Sequence, residues 1–156
     1  MKNIFFSIDE INFCIRPINL VDINNSYYHL LSQLSYIDSS TLSNGLSENL
    51  HKHLDKNHHI FVIEDTTTKQ VIGTGTLLIE NKIIHNYGNV GHIEDIIISS
   101  EYRGKNLGKY LVEFLTDFSK IENQCYKCIL NCNQENIGFY EKCNYQFTQY
   151  QMSKYF

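Results

Sequence analysis

Apolar and polar residues alternate over Asn12-Phe-Cys-Ile-Arg16, which predicts a first strand closed by Pro17, a residue that cannot continue a central ladder. Asp22 then stands where a helix N-cap would, ahead of Tyr27, Leu30, Leu31 and Leu34 at helical spacing. Residues 35–47, rich in Ser, Asp, Thr, Asn and Gly, predict a loop, with a second short helix over 48–55. Ile60-Phe-Val-Ile-Glu64 predicts a strand, residues 65–70 a turn, and residues 71–80 a second strand interrupted by Gly73 and Gly75, together a hairpin. Lys82-Ile-Ile-His85 extends that strand until residues 86–91 break it. Residues 92–99 form the most apolar strand candidate, and two adjacent carboxylates, Glu94 and Asp95, sit inside it. Leu107, Tyr110, Leu111, Phe114, Leu115 and Phe118 then repeat with the period of a long amphipathic helix. Residues 125–132 predict a strand, residues 136–143 a short helix ended by Asn144 as a left-handed cap, and residues 145–150 a last strand. A hairpin followed by strand, helix, strand and helix predicts one α/β domain over 1–156 of mixed, α+β-like character, with helices on the faces of a mixed sheet.

Composition narrows the function classes. With 13 Lys and Arg against 17 Asp and Glu, the net charge of -4 offers no general attraction to nucleic acid or an anionic membrane. An anionic ligand must therefore be held by a local arrangement of donors. No apolar run approaches the roughly 18 residues that cross a bilayer, and residues 1–9 lack a basic start followed by an apolar stretch. The reading is a soluble cytoplasmic protein without membrane insertion. Ala is absent while Asn and Ile abound, which reads as nucleotide bias without functional weight.

Two clusters resemble metal sites and are read otherwise. His51, His53, His58 and His59 have spacings that do not bring two imidazoles to one helical face, so they read as a solvated patch or loop. Cys14, Cys125, Cys128, Cys132 and Cys143 are odd in number, and Cys128 and Cys132 fall in an apolar run where a free thiol behaves as a small hydrophobe. No metal is expected.

The stretch that carries chemistry is Arg103-Gly-Lys-Asn-Leu-Gly108, which lies between the apolar strand and the long helix and continues into Lys109. A turn of backbone N–H groups at a helix N-terminus cradles phosphate, and Arg103, Lys105 and Lys109 add positive charge. The spacing is neither a Walker loop nor a dinucleotide fingerprint.

The pattern R-x-x-N-x-G after an apolar strand resembles the pyrophosphate loop of the GNAT N-acetyltransferase superfamily, usually written [QR]-x-x-G-x-[GA]. Gly91-His-Ile-Glu-Asp-Ile, Tyr102-Arg-Gly-Lys-Asn-Leu-Gly-Lys109, Cys125-Tyr-Lys127 and Asn136-Ile-Gly-Phe-Tyr-Glu-Lys-Cys143 closely resemble one subfamily, the eukaryotic glucosamine 6-phosphate N-acetyltransferases. Lys82-Ile-Ile-His85 and, more loosely, Leu31-Ser-Gln-Leu-Ser35 match its earlier segments, so the resemblance covers nearly the whole chain.

That resemblance implies the GNAT fold, a mostly antiparallel sheet splayed at an acetyl-CoA site, and acetyl transfer to the amine of glucosamine 6-phosphate on the way to UDP-N-acetylglucosamine. Direct attack by the amine requires a base, oxyanion stabilisation and an acid for the departing thiolate. Carried over by resemblance, Glu94 is the base, directly or through water, and Tyr140 the acid, with Asn131 beside the amine. Backbone groups of Ile96, Ile97 and Ile98 hold the pantetheine arm, residues Arg103, Gly104, Lys105, Asn106, Leu107, Gly108 and Lys109 take the pyrophosphate, and Asn136 and Tyr140 complete the acetyl-CoA site. The sugar phosphate falls to Ser35, Lys82, Ile83, Ile84, His85, Glu94, Asp95, Cys125, Tyr126, Asn131 and Lys154. Some of these are reached across a homodimer whose partners complete each other's sites. The chain departs from the family at three points. Asn106 replaces a Gly, Asn131 replaces an acidic residue, and the tail has Lys154 in place of an Arg. Three other readings stay open: the same fold acting on another small amine or a protein N-terminus, a silent acyl-CoA-binding module, and a ping-pong enzyme that carries acyl groups on Cys132 or Cys128.

Overall fold

The computed structural model describes residues 3–37 and 56–156. Six strands form one sheet in the order β1 to β6: Ile4–Ile8, Ile11–Pro17, His58–Asp65, Gln70–Asn81, Asn89–Ile98 and Cys125–Leu130. β1 through β5 pair antiparallel, and β6 alone runs parallel to its neighbour β5. Among the described residues, the α-helices of right-handed backbone that accompany the sheet are α1 (Asn25–Ser32), α2 (Leu107–Ile121) and α3 (Ile137–Glu141), and Ile84–Tyr87 adds a short turn with left-handed residues inside it.

The apolar stripe read from the sequence makes α2 the main cover of the sheet. Leu107, Leu111, Val112, Leu115 and Phe118 bury against Phe13, Ile15, Phe61, Ile63, Leu77, Ile79 and Ile93. Phe61 meets Phe114 and Phe118 edge-on, with ring centroids 4.7 and 5.0 Å apart. On the other face α1 seats Tyr27 and Leu30 on Val62 and Ile97, and the Tyr27 hydroxyl lies 3.2 Å from Thr74 Oγ1. Helices thus cover both faces, as expected.

Several expectations are corrected. β1 was not anticipated, because Ile4-Phe-Phe-Ser-Ile8 does not alternate. It is joined to β2 by Asp9 and Glu10, both left-handed (φ 49° and 64°), without the Gly that usually marks such a two-residue turn. Asp22 is not the helix cap. Asn24 is, its Oδ1 accepting from the N–H groups of Ser26 and Tyr27 at 3.0 and 3.2 Å. Asp22 is buried instead in a two-toothed pair with Arg16 (2.7 and 2.8 Å), whose Nε also donates to Glu64 at 2.8 Å. A carboxylate with a buried guanidinium partner does more there than it would as a cap.

Lys82-Ile-Ile-His85 does not extend β4, which stops at Asn81. His85, Asn86 and Tyr87 are all left-handed (φ 54°, 55° and 58°), and the chain reverses through a 3.0 Å bond from Gly88 N to His85 O. Residues 145–150 form no strand. After Tyr145, whose hydroxyl is 2.7 Å from Thr116 Oγ1, the chain pairs with no strand of the sheet and exposes Phe147 and Tyr150. The expected helix over 48–55, most of the loop over 35–47, and His51 and His53 lie outside the described residues, while His58 and His59 open β3. Asn144 is left-handed (φ 63°), as the cap reading required. Among the described residues no helix is long and apolar enough to cross a membrane, and no group of three or more His, Cys, Asp and Glu converges as metal ligands would.

Candidate active site

β5 and β6 pair only from Asn89↔Cys125 to Ile93↔Leu130. Beyond Ile93 the two strands part, because β6 ends at Leu130 while β5 runs on to Ile98. Among the described residues, the β6-facing edge of residues 94–98 therefore has no strand beside it. Just at the parting, β5 carries a bulge: β4 advances from Thr74 to Thr76 while β5 spans Ile97 to Glu94, one residue more. Asp95 takes the left-handed conformation (φ 53°) that makes this possible, a role Asp fills more readily than most residues. The bulge accounts for the two adjacent carboxylates in an apolar strand: it turns Glu94 and Asp95 out of the plain alternation.

A cleft of about 240 Å³ opens there, lined by Glu94, Asp95 and Ile96 from β5, by Asn131, Cys132 and Asn133 after β6, by Asn136 and Tyr140 at α3, and by Ile93 and Leu34. Burial and the neighbouring Asp95 raise the Glu94 carboxyl above the ordinary range, with His92 acting against them. Burial, helped by Cys132, Cys143 and Glu94, pushes Tyr140 up to about 12. Glu94 is thereby the stronger base, and Tyr140 holds its proton at every physiological pH. A thiol's reference pKa is about 8.5, so a phenol held this high can give a thiolate a hydrogen bond without losing its proton.

At the far end of β5, Ile98 meets the loop into α2. Gly104 is left-handed (φ 82°), and no described atom lies within 4 Å of where its Cβ would be. Asn106 is left-handed (φ 58°), and its side chain does not cap α2, so the first N–H groups of the helix stay open. A Cβ on Gly108 would sit 3.3 Å from Phe139 of α3, which packs this loop against the cleft. The loop's cations are already engaged. Arg103 Nε donates to Ile98 O at 3.1 Å, Lys105 pairs with Asp9 at 3.0 Å, and Lys109 faces Glu113 at 3.7 Å. Backbone amides are thus the first donors an incoming phosphate would meet. An open strand edge running into an amide cradle suits the pantetheine and pyrophosphate of acetyl-CoA.

The cleft gathers Glu94, Asp95, Ile96, Asn131, Asn136 and Tyr140 from the sequence-derived set, and Ile97, Ile98 and residues 103–109 continue from it. Other members stand elsewhere. Cys125 is in the core at the opposite end of β5, Tyr126 packs tilted against His85 (4.5 Å between ring centroids), and Ile83 and Ile84 are exposed. Lys82 is bonded to Glu80, which also holds His92 at 2.9 Å. Ser35 is exposed one residue beyond Leu34, and Lys154 lies over Phe156 in the exposed tail. Sequence reasoning missed Leu34, Asn133 and Gln33. Gln33 Oε1 accepts from Ser100 N at 3.0 Å and so ties α1 to the base of the loop. None carries a chemical signature in sequence. A second, larger concavity of about 550 Å³ over β1 to β3 is remote from this chemistry.

Comparison with known proteins agrees with this geometry. The Acetyltransferase (GNAT) family pattern matches residues 22–145. A glucosamine 6-phosphate N-acetyltransferase of Arabidopsis thaliana is 42% identical over 146 residues, 92% of this chain and 97% of its own. One from Candida albicans is 41% identical over 137 residues, 86% of this chain and 89% of its own. The crystal structure of the Arabidopsis thaliana glucosamine-6-phosphate N-acetyltransferase superposes with a TM-score of 0.83 at 41% identity, covering 92% of this chain and 98% of that one. A Trypanosoma brucei acetyltransferase gives 0.78 at 27%, covering 92% and 99%. The chain therefore belongs to the GNAT acetyltransferase family, beside its glucosamine 6-phosphate N-acetyltransferases.

Proposed function

We propose that this protein is an N-acetyltransferase that moves acetyl from acetyl-CoA to the amine of glucosamine 6-phosphate, a step toward UDP-N-acetylglucosamine. The observation that carries the reading is the meeting of Glu94 and Tyr140 in one cleft at the open edge of β5, in a chain this similar to enzymes of that name. Acetyl-CoA, when bound, supplies an activated thioester. The chain's own residues do the rest. The N–H and C=O groups of residues 94–98 align the arm as an added strand would, and the amides opening α2 hold the pyrophosphate. Glu94 takes a proton from the acceptor ammonium, leaving a nucleophilic amine. Tyr140 donates a hydrogen bond to the sulfur as the C–S bond breaks, and Asn131 faces the reacting centre from the β6 side. Asn131 has no charge to offer, so its polar atoms orient the acceptor.

The acceptor phosphate falls to Lys82, His85 and Lys154, with Ser35 on the sugar. In the single chain Lys82, His85 and Lys154 do not line the cleft, Ser35 follows the cleft residue Leu34, and among the described residues Phe147, Tyr150, Tyr155 and Phe156 of the tail are left exposed. These observations support a homodimer that brings one protomer's tail and Tyr126 corner to the other's cleft. Sedimentation at micromolar concentration is then expected to give twice the 18.3 kDa chain mass, and a monomer retaining full activity would rule out shared sites.

The direct test is thiol release from acetyl-CoA with glucosamine 6-phosphate, glucosamine and glucose 6-phosphate as separate acceptors. Rapid release with the first alone means that amine and phosphate are both read. Release with none, alongside acetyl-CoA binding, would leave a silent acyl-CoA module.

A further inference from the structure

Gly75 stands in β4 directly across from the bulge that carries Asp95 and Ile96. A Cβ built on it would lie 2.5 Å from Ile96 Cδ1, 3.0 Å from Leu115 Cδ1 and 3.2 Å from Leu111 Cδ2. The Ile96 side chain therefore occupies the space a side chain at 75 would need, pressed between the β4 backbone and the leucines of α2. Ile96 also lines the cleft, so it links the core to the reacting centre. A bulge is a local break in the ladder, held by what packs on it more than by its own hydrogen bonds. We propose that Gly75 is a positioning residue for acid–base catalysis: its bare backbone forms the notch that seats Ile96, and that seat fixes the bulge that aims Glu94 into the cleft.

The inference rests on the acetyl-transfer reading of this cleft for its kinetic consequence but not for its structural one. The surroundings of Glu94 provide a readout that a merely structural glycine would not move. Among the described residues, the titratable groups around it are Asp95 and His92 on its own strand, Tyr140 on α3 and Cys132 after β6, with Glu80 behind His92. Its carboxyl is raised chiefly by burial. If Ile96 is pushed from its seat, the bulge shifts, Glu94 turns toward solvent, and that burial is lost.

The test is Gly75→Ala, alone and with Ile96→Val, which removes the clashing Cδ1. Two readouts are taken on the full chain: the Glu94 carboxyl titration by carbon-13 NMR, and thiol release with acetyl-CoA and glucosamine 6-phosphate. Gly75→Ala is expected to lower the Glu94 titration midpoint toward the ordinary carboxylate range and to reduce kcat on the order of 10- to 100-fold, the cost of a misplacement near 1 Å. Ile96→Val added to it is expected to restore both, a coupling that only contacting residues show. An unchanged midpoint with kcat within about twofold of the parent, or a loss that Ile96→Val does not relieve, overturns the proposal. Should Gly75→Ala fail to fold, Ile96→Ala empties the same seat with Gly75 intact, and an unmoved Glu94 midpoint there overturns it equally. A parent protein that releases no thiol refutes the acetyl-transfer reading, while the titration still decides the role of Gly75.

Discussion

Replacing Glu94 by Gln is expected to lower kcat by about 100- to 10,000-fold with glucosamine 6-phosphate, the span that loss of a general base commonly costs. The amide keeps the size and polarity of the carboxylate but cannot accept the ammonium proton. Two further signs separate this from misfolding. In the parent, activity is expected to rise with pH as Glu94 ionises, with that limb above the ordinary carboxylate range, because burial and Asp95 hold the proton on. In Glu94→Gln the limb should vanish from the residual rate, which then follows the acceptor amine alone. Stability should move the other way. A carboxyl whose folded pKa is raised contributes stability below its unfolded pKa and loses it as pH rises through the folded value, so ionised Glu94 strains the fold at pH 7. The Gln variant is therefore expected to melt no lower than the parent at that pH. A residual limb in Glu94→Gln would move the base elsewhere. Tyr140→Phe should behave differently, lowering the rate without altering the acid limb, because a phenol held near 12 does not titrate there.

Asp22→Ala is expected to destabilise the fold by about 3 kcal/mol, the lower end of the cost of breaking a buried ion pair. Arg16 and Asp22 expose only 13% and 8% of their side chains, so a guanidinium deprived of Asp22 cannot rehydrate. Glu64 still holds Arg16 Nε, which keeps the loss from being larger. For a chain of this length the melting temperature should fall by roughly 6 to 12 °C. The same pair sets a pH dependence. Burial pushes Asp22 up, but the bonds from Arg16 and from Asn19 N–H outweigh it, leaving the carboxyl below its ordinary value. Asp65 is likewise lowered on balance, since the N–H groups of Thr67 and Thr68 and the Tyr102 hydroxyl outweigh its desolvation. Groups depressed in the folded state contribute stability above their unfolded pKa and lose it as pH falls through the folded one. Thermal melts should therefore be flat near neutrality and drop below about pH 4, with a shallower drop in Asp22→Ala. Equal melts for parent and variant at pH 7 would contradict this account.

How far the sequence could be read followed from how local each signal was. α2 was legible from Leu107, Leu111, Leu115 and Phe118 because helical period is a property of neighbouring residues. The left-handed Asn144 and the strand at Ile60 to Glu64 were legible for the same reason. β1 was not, since its partner is chosen by a turn, Asp9-Glu10, that lacks the Gly which usually marks two successive left-handed residues. Asp22 was misread because a cap and a buried ion pair begin with the same residue type, and Arg16, six positions away, decides between them. Residues 145–150 have strand composition, but a strand exists only where a segment is brought to an edge, and this one pairs with none of the six strands.

The candidate site divides the same way. By itself the sequence determined that an apolar strand carrying Glu94-Asp95 runs into an amide-rich turn and a long helix, and that Asn136-Ile-Gly-Phe-Tyr140 follows. Together these carry the resemblance to the GNAT family, and residue types and short spacings fix what each group can donate, accept or cradle. Only the tertiary structure decided where those groups meet. The parting of β5 from β6 after Ile93, the bulge at Asp95 and the notch at Gly75 join residues dozens of positions apart. Arg103 and Lys105 turned from free phosphate ligands into tethered ones for the same reason. Packing between distant segments sets edge exposure, burial and partner choice, and these raise the Glu94 carboxyl above the ordinary range of a carboxylate in a strand.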